Sequence, residues 1–315
     1  MDDTFTSCYT VTNFESRTAR NGHHYLRLML ENAYESATAN CWHGSYIGPE
    51  SFSIGDIVRI SGRRKILDFR ELVDIHQASL LKPRGEDVII SIPRSTAPNP
   101  NDLVQLISIA KSIGSGPLKE FIFEAFGDQM FAQAFISLPA SQNHHHHHPG
   151  GLLRHSLECV ETVQSCVRQK DHRDIATVAA LFHDAGKVLT MKSNGKTPLG
   201  YMVDHDSLTL ECLSGPLANL DTSWPDAGIA LRHIWTCRSR RRWGFAARTY
   251  LADVVQLADR ISAETDAEQQ AFAELPSWRN HAMHPVSEQR FWRPAGNLSE
   301  TFEPEVVMQE NVQHG

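Results

Sequence analysis

Six histidine and aspartate residues recur between positions 155 and 259 at intervals that match one helix and its return connection. Counting the adjacent pair His183-Asp184 as one step, they stand 28, 21, 28 and 26 residues apart. Each lies on or beside a separate predicted helix, and a helical bundle can bring one side chain from each helix to a shared site in its core. The spacing therefore predicts one metal site built from His155, His183, Asp184, His205, His233 and Asp259.

The apolar periodicity divides the chain into a β-rich part and a helical part. Residues 25–30, 57–60 and 69–76 alternate apolar and polar side chains, and about five such strands in 80 residues predict a small closed barrel. From residue 101 to about 265, apolar residues recur at three- and four-residue steps, which predicts an all-α region. The expected fold class is α+β, with a barrel domain at 1–82, a Pro/Ser/Asn-rich linker at 83–100, a helical domain at 101–266 and a partly ordered acidic tail at 267–315.

The composition is that of a globular protein without a membrane span or a disulfide framework. The chain has 315 residues, of which 41% are apolar, and its N-terminus is acidic. Six cysteines are scattered without a C-x-x-C pair, which favours reduced thiols and a cytoplasmic location. Most of the net charge of −7 lies in residues 264–315, which hold nine acidic and three basic residues, so the rest of the chain is near neutral.

One segment of the predicted barrel resembles the later strands of an OB-fold nucleic-acid-binding domain. This segment, residues 55–62, reads Gly-Asp-Ile-Val-Arg-Ile-Ser-Gly and is followed by a charged strand. Cations interleaved with aromatic side chains suit a groove for single-stranded nucleic acid. A solvated barrel face with scattered charge is the alternative. The resemblance implies a binding groove formed by Tyr25, Arg27, Arg59, Arg63, Arg64, Lys65 and Phe69.

The helical part resembles the HD-domain metal-dependent phosphohydrolase superfamily, whose signature is H…HD…D. The matching residues are His155, the pair His183-Asp184, and Asp259, and the similarity covers about residues 101–266. Members with two metal ions carry extra histidines, for which His205 and His233 are the candidates. The resemblance implies a helical HD bundle that holds one or two divalent ions.

Two narrower families share further parts of this pattern. The order of an OB-fold, a helical connector, Asn143-His144-His145, Gly-Gly-Leu-Leu-Arg-His-Ser-Leu-Glu at 150–158 and His-Asp-Ala-Gly-Lys resembles the YhaM-type 3′-to-5′ exoribonucleases. The sequence departs from that family at Ile234, where a second consecutive histidine is expected. The segment from Pro139 to Gly151 is also similar to the HD relaxase domain of the much longer MobH-type conjugative proteins.

The donor types favour a transition metal. Imidazole and carboxylate groups without thiolate suit Mn²⁺, our first choice, or Fe, Co²⁺ or Zn²⁺, with Mg²⁺ also considered. Asp184 is the expected bridging ligand, because a carboxylate has two oxygens to share. Lys187 lies one turn beyond and is expected to reach the phosphate as a point charge. We therefore assign catalytic roles to Asp184 and Lys187.

Cys159, four residues after His155, is interpreted as a buried small residue rather than a ligand.

Further residues are candidates for substrate binding. The family resemblance implies that one or two histidines of the run 144–148 face the phosphate or a metal, and His144 and His145 are the ones we choose; a solvated His-rich loop is the alternative. A basic cluster beside Trp243 is expected to hold the nucleic-acid backbone at the mouth of the metal site, although a solvated turn is an equally simple explanation. This cluster consists of Arg238, Arg240, Arg241 and Arg242.

These observations predict a metal-dependent phosphodiesterase that hydrolyses single-stranded RNA or DNA, as a 3′-to-5′ exonuclease. Two alternatives remain open. One is a relaxase-like DNA-processing protein of conjugative elements, which would use a protein nucleophile, and the other is an HD hydrolase of small nucleotides with a regulatory barrel. No membrane partner is expected, and the sequence leaves homo-oligomerisation, RNA against DNA, and the number of metal ions undecided.

Overall fold

The computed structural model of the chain describes residues 4–67, 70–142, 145–237 and 245–294. The chain divides into two compact units, of which the first ends at Ala263 and the second begins at Glu264. The first unit contains a β-barrel and a helical bundle. No helix within these described ranges combines the length and the apolarity needed to cross a bilayer.

Five strands close into the predicted barrel. They are β1 (Thr4–Thr18), β2 (His24–Glu31), β3 (Ser36–Trp42), β4 (Ile57–Leu67) and β5 (Arg70–Leu80). The order around the barrel is β1-β2-β3-β5-β4, with the β3–β5 pair parallel and the other pairs antiparallel. A five-stranded Greek-key barrel of this kind is the OB-like architecture that the sequence predicts, and the α+β fold class is confirmed.

The alternating apolar residues of the strands fill the barrel. Leu28, Leu30, Val58, Ile60 and Val73 are all buried, as the period-2 pattern predicts. The first strand, β1, is longer than the short strands that the sequence predicts. A register shift between Val11 and Asn13 bends it, so its N-terminal half pairs with β4 and its C-terminal half pairs with β2.

The segment 83–100 is not an extended linker throughout. It contains the short helix α1 (Glu86–Ile90) and a 3₁₀ turn at Arg94–Thr96. Ile89 and Ile92 are buried in the same apolar core as the helical bundle. Apolar residues 88–90 and 92 give this segment a face to bury, and the segment therefore packs on the bundle.

The helical bundle follows, with boundaries that refine the predicted ones. The apolar spacing of the sequence predicts helices at 175–188 and 208–220; the first of them ends at Phe182, and the second is divided at Leu213. A hairpin, β6 (Met191–Lys192) with β7 (Gly195–Lys196), and a 3₁₀ turn at Leu199–Tyr201 interrupt the otherwise all-α region. The helices are α2 (Pro100–Ser112), α3 (Gly116–Gly127), α4 (Gln129–Ser137), α5 (Gly151–Cys166), α6 (Lys170–Phe182), α7 (Lys187–Thr190), α8 (His205–Cys212), α9 (Ser214–Ser223), α10 (Pro225–Thr236) and α11 (Tyr250–Phe272).

An aromatic cluster forms the centre of the bundle. The fully buried ring of Phe182, the last residue of α6, lies 5.7 Å from Phe121 and Phe126, 6.2 Å from Phe131 and 5.9 Å from Phe135, measured between ring centroids. Aromatic pairs at such distances attract one another beyond their burial. The last residue of α6 is therefore anchored in the core of the bundle.

The second unit contains more regular structure than the partly ordered tail that the sequence predicts. It includes a hairpin of β8 (His281–Met283) and β9 (Arg290–Trp292). His284 in the turn is buried and hydrogen-bonds Gln270, and the guanidinium of Arg293 lies 4.1 Å from the ring centroid of Phe272. These contacts join residues that are distant in the sequence, so no periodic pattern of the sequence predicts them.

Candidate metal centre

Four of the predicted ligands converge in the core of the bundle. His155 lies on α5, His183 and Asp184 follow the last residue of α6, and Asp259 lies on α11. The Nε2 atom of His155 lies 3.2 Å from His183 Nε2, 3.5 Å from Asp184 Oδ2 and 3.2 Å from Asp259 Oδ1. His183 Nε2 lies 3.5 Å from Asp184 Oδ2 and 3.7 Å from Asp259 Oδ1.

These separations fit the donor atoms around one ion. With metal–ligand bonds of about 2.0–2.2 Å, neighbouring donors in a tetrahedral or octahedral site lie about 3.0–3.5 Å apart. The imidazole of His155 is fully buried and the carboxylate of Asp184 nearly so, whereas Asp259 is 49% exposed. The cluster therefore opens to solvent at Asp259.

A hydrogen bond at Nδ1 of each imidazole turns its Nε2 atom towards the cluster. His183 Nδ1 lies 2.8 Å from the carbonyl oxygen of Ala180, so Nδ1 carries the proton and donates it. His155 Nδ1 lies 2.9 Å from Ser262 Oγ, and this hydroxyl donates to Glu158 Oε2 at 2.8 Å. The serine oxygen must then accept from His155. Both rings therefore turn Nε2 into the cluster, where a shared cation can take the place of a proton between them.

The charges around the cluster shift its protonation equilibria. Burial opposes protonation of His183, but the negative charges of Asp184 and Asp259 outweigh burial and raise the pKa of His183 to about 9. Burial also disfavours the Asp184 carboxylate, yet Lys187 and His183 hold the pKa of Asp184 well below its usual range. Lys187 Nζ lies 2.6 Å from Asp184 Oδ2. The centre therefore attracts positive charge.

His205 contacts the other oxygen of Asp184. Its Nε2 atom lies 3.1 Å from Asp184 Oδ1 and 3.1 Å from Asp206 Oδ1, while its Nδ1 atom lies 3.1 Å from Asp204 Oδ1. Burial lowers the pKa of His205, but the nearby Asp184 carboxylate outweighs it and raises that pKa. The two oxygens of Asp184 thus face two groups of donors, as a bridging carboxylate would.

A close main-chain contact holds the two groups of donors together. A Cβ atom at Gly186 would lie 2.0 Å from the carbonyl oxygen of His205, so only glycine allows this approach. The buried Thr209 accepts from the Gly186 N–H at 3.1 Å and lies 3.2 Å from the carbonyl oxygen of His183. The start of α8 is therefore positioned directly by the turn that carries His183 and Asp184.

His233 occupies a different environment from the other predicted ligands. Its Nε2 atom accepts a hydrogen bond from the backbone N–H of Arg248 at 2.9 Å. Within the described part of the chain it belongs to neither group of converging donors. Its assignment as a ligand stays a prediction.

The histidine-rich loop approaches the cluster on the α5 side. The ring of His145 lies 5.1 Å from that of His155, and burial together with the charge of His155 lowers the pKa of His145 to about 4. The buried His146 places its Nε2 3.2 Å from both Ser262 Oγ and Glu158 Oε2. His144 lies outside the described residues. The loop thus places His145 next to the His155 ring and His146 next to Ser262 and Glu158, the residues that support His155.

The thiol of Cys159 lies beside the candidate donors. Its Sγ lies 3.9 Å from His155 Nε2, and together with His155 and His183 it forms a group whose donor atoms lie within 4.8 Å of one another. Burial and the charge of Asp259 raise the pKa of its thiol well above the usual range. A buried neutral thiol fits the expectation of a packing residue.

Three of the predicted substrate-binding residues of the barrel, Tyr25, Arg27 and Arg64, make contacts within the barrel. Tyr25 is buried against Trp42, with 4.5 Å between ring centroids, and the Arg27 guanidinium lies 5.7 Å from the Tyr25 ring. Arg64 contacts Glu35 at 2.7 Å and Glu71 at 2.8 Å. Phe69 lies outside the described residues, as does the arginine cluster Arg238, Arg240, Arg241 and Arg242.

Sequence analysis missed the residues that support the candidate ligands. Glu158 and Ser262 each lie three residues from a candidate ligand on the same helix, His155 and Asp259 respectively. That spacing places them on the ligand's face of the helix and could have identified them. Asp206 is adjacent to His205, and Thr209 lies four residues beyond it, so both were detectable in the same way.

Comparisons with known proteins agree with the predicted resemblance. The 3′-5′ exoribonuclease YhaM of Bacillus velezensis is 21% identical over 266 residues, which cover 78% of this chain and 80% of that protein. The protein of the same name from Bacillus licheniformis is 19% identical over 301 residues, covering 88% and 90%, and one from Listeria monocytogenes is 22% identical over 240 residues, covering 72% and 74%. Each of these similarities covers more than two thirds of the chain.

Two further similarities cover parts of the chain. The TraI_2 family model, described as a putative helicase, matches residues 95–193. The solved structure of the second OB-fold domain of replication protein A from Methanococcus maripaludis matches 25% of this chain and 83% of that domain, with 15% identity and a TM-score of 0.21. Among these comparisons, the exoribonuclease resemblance predicted from the sequence is the one that extends over most of the chain.

Proposed function

We propose that this chain is a metal-dependent nuclease that removes nucleotides from the 3′ end of single-stranded RNA. The observation that carries the proposal is the convergence of His155, His183, Asp184 and Asp259 on one point, with donor separations of 3.2–3.7 Å. The low-identity relatives named 3′-5′ exoribonuclease support RNA as the substrate and the 3′ end as the starting point.

The donor set fits a divalent transition metal. His155, His183, Asp184 and Asp259 would hold one ion, and Asp184 Oδ1 with His205 would contribute to a second. Imidazole and carboxylate donors suit Mn²⁺, Fe, Co²⁺ or Zn²⁺. Such an ion, when bound, supplies Lewis acidity at a phosphate oxygen and lowers the pKa of a coordinated water.

The protein's own residues would orient and neutralise the phosphodiester. Lys187 carries a positive charge 2.6 Å from Asp184 and can offer further N–H donors to a phosphate oxygen. His145, whose pKa is lowered to about 4, supplies a neutral imidazole beside His155 at neutral pH. Glu158 and Ser262 hold His155 in the tautomer whose Nε2 lone pair faces the cluster.

In this proposal the barrel domain, residues 1–82, binds the strand and the helical domain, residues 101–266, hydrolyses it. An OB-like barrel commonly binds single strands by combining cations with stacking aromatics. The half-buried Trp42 ring, packed on Tyr25, and the neighbouring Arg27 guanidinium provide such a combination. The arginine cluster at 238–242 is proposed to contact the strand near the metal centre.

The test is a degradation assay with end-labelled strands. Purified protein with Mn²⁺ is incubated with single-stranded RNA and DNA of one sequence, labelled at either end. We expect 5′-labelled RNA to give a ladder of progressively shorter products and 3′-labelled RNA to release labelled mononucleotide at once. Internal cleavage, or no cleavage with any of Mn²⁺, Co²⁺, Fe²⁺ and Zn²⁺, would contradict the proposal. Elemental analysis of the purified protein identifies the bound metal.

A second candidate function is the processing of DNA strands, which the match of residues 95–193 to a family described as a putative helicase favours. The sequence has no G-x-x-x-x-G-K-[ST] motif, so a nucleotide-driven helicase motor lacks its phosphate-binding loop. Strand transfer would instead leave protein bound covalently to DNA. A DNA adduct that survives denaturant would favour this candidate, and hydrolysis of free nucleotides with strands left intact would favour a small-nucleotide hydrolase.

A further inference from the structure

A cavity of about 500 Å³ lies beside the candidate metal centre. Lys187 and His205, the two residues that contact opposite oxygens of Asp184, form part of its wall. Its volume falls within the range of about 300–1,000 Å³ typical of small-molecule sites. Among the described residues, none of those predicted from the sequence for substrate binding lines it. The cavity is therefore an unassigned space that reaches the proposed reaction centre.

The other lining side chains have the chemistry that a nucleotide requires. Lys196, on β7, adds a second ammonium group to that of Lys187. Tyr201 and Met202 add an aromatic ring and a polarizable thioether, and they are 73% and 83% exposed. Two cations match a phosphate, and an aromatic ring with a neighbouring apolar chain matches the face of a base.

The exposed ring of Tyr201 stands on a backbone that is held firmly. Thr197 Oγ1 donates to the Leu189 carbonyl at 2.7 Å and accepts from the Gly200 N–H at 3.1 Å. Gly200 packs so closely on α7 that a Cβ atom there would lie 2.2 Å from the carbonyl oxygen of Thr190. An aromatic side chain presented to solvent on a fixed turn, rather than folded onto the core, is typical of a binding surface.

We propose that this cavity binds the terminal nucleotide of the strand, with its base stacked on Tyr201 and its phosphate held by Lys187 and Lys196 next to the metal centre. The inference rests on the proposed nuclease function for the identity of the strand, and it adds the residues that bind the nucleotide to be released. A free nucleoside monophosphate has the same chemistry, so the experiment separates the two ligands.

The experiment measures binding without hydrolysis. Full-length, metal-free protein is titrated with a fluorescent trinucleotide of RNA and, separately, with adenosine and uridine monophosphates. Loss of one base stack corresponds to about a 5- to 150-fold weaker affinity. We expect this loss for the trinucleotide in Tyr201→Ala and retained affinity in Tyr201→Phe. Tyr250→Ala, which removes an exposed tyrosine outside the cavity, serves as the matched control.

The outcomes separate this inference from the proposed function. Trinucleotide affinity unchanged in Tyr201→Ala, in a variant whose melting temperature matches the wild type, overturns the cavity assignment even if the protein is a nuclease. Weaker monophosphate binding with unchanged trinucleotide binding also overturns it, because the cavity would then serve a free nucleotide. Weaker trinucleotide binding in a protein that hydrolyses no strand supports the cavity and refutes the nuclease.

Discussion

The barrel and the candidate metal centre differ in what lies opposite their carboxylates. In the barrel, Glu35 contacts Arg64 at 2.7 Å and Asp74 contacts Lys65 at 2.5 Å, so these carboxylates form ion pairs. In the centre, the Nε2 atoms of His155 and His183 lie 3.2 Å apart with two carboxylates beside them, and Lys187 is the cation next to Asp184. The difference shows that a candidate metal site is marked by several imidazole and carboxylate donors that converge on one point, whereas the barrel carboxylates form ordinary ion pairs.

The largest expected effect comes from removing two donors from the centre. The double variant His183→Ala/Asp184→Ala is expected to lose more than about 100-fold in metal affinity, beyond the about 10- to 100-fold typical of removing a supporting partner. Elemental analysis and strand degradation measure the result. Arg17→Ala, which breaks the ion pair with Glu15 in the barrel, is the control and should keep both metal and turnover. A double variant that still binds metal stoichiometrically would show that His183 and Asp184 are not the metal ligands that set the centre apart from the barrel.

Metal removal is expected to lower stability through the centre alone. An ion that binds only the folded chain stabilises it by about 2.7 kcal/mol when its free concentration is 100 times Kd. Thermal unfolding with and without chelator measures this change in the wild type and in the His183→Ala/Asp184→Ala variant. We expect a shift in the wild type and none in the variant. Equal shifts in both proteins would mean that the ion binds elsewhere.

A smaller effect is expected from the support behind His155. Ser262→Ala removes the hydroxyl that links His155 Nδ1 to Glu158 and is expected to weaken metal binding by about 10- to 100-fold. Metal titration of the variant measures the loss, and its melting temperature checks the fold. Ser165→Ala, which removes an exposed hydroxyl bonded to the Glu161 carbonyl, is the matched control. Equal metal affinity in the two variants would reject the positioning role of Ser262.

In the barrel, by contrast, breaking an ion pair is expected to change stability and leave metal binding unchanged. Arg64→Ala leaves Glu35, which also accepts a hydrogen bond from Tyr9, without its cation. Because the pair is partly exposed, we expect a loss of about 1 kcal/mol in the free energy of unfolding by urea. A change in metal affinity as large as that of Ser262→Ala would show that the two regions are coupled.

The smallest expected effect is the pH dependence of the same ion pair. Burial disfavours the Glu35 carboxylate, but Arg64 and Tyr9 outweigh burial and lower its pKa in the folded state. A carboxylate with a lower pKa in the folded than in the unfolded state stabilises the fold above its unfolded pKa of about 4.3, and this contribution is lost as the pH falls through the folded pKa. The stability difference between wild type and Glu35→Gln should therefore be constant near neutral pH and shrink below about pH 4. A difference that grows on acidification would contradict this sign.

The sequence predicted the parts of the structure that depend on local periodicity. The alternation of apolar and polar residues located β2, β4 and β5. The helical spacing predicted that four candidate ligands meet, and the structure places them close together: His155, His183, Asp184 and Asp259. The partners of Arg64 were not predictable, because Glu35 and Glu71 meet it only through the register of the barrel strands. Arg64 and Lys65, chosen for the groove by residue type, therefore contact other barrel side chains.

The support of the centre and the adjoining cavity needed the three-dimensional structure for a different reason. Ser262 on α11 contacts His155 on α5, although the two residues are 107 positions apart in the sequence. The cavity depends on a hairpin, a 3₁₀ turn and the start of α8, three short elements whose relative placement no helical or strand period describes. Sequence patterns identify which residues share one face of an element, whereas contacts between elements are determined by packing.

Phe182 and His183 are joined by one peptide bond, with the four neighbouring phenyl rings on one side of it and the candidate donors on the other. Protein interiors are packed as densely as organic crystals and resist gradual deformation. The imidazole is therefore held in place by the aromatic core before any ion arrives. In the proposed metal centre, loading would then require little rearrangement of the chain, and selection among ions would rest on a pocket whose dimensions are set when the protein folds.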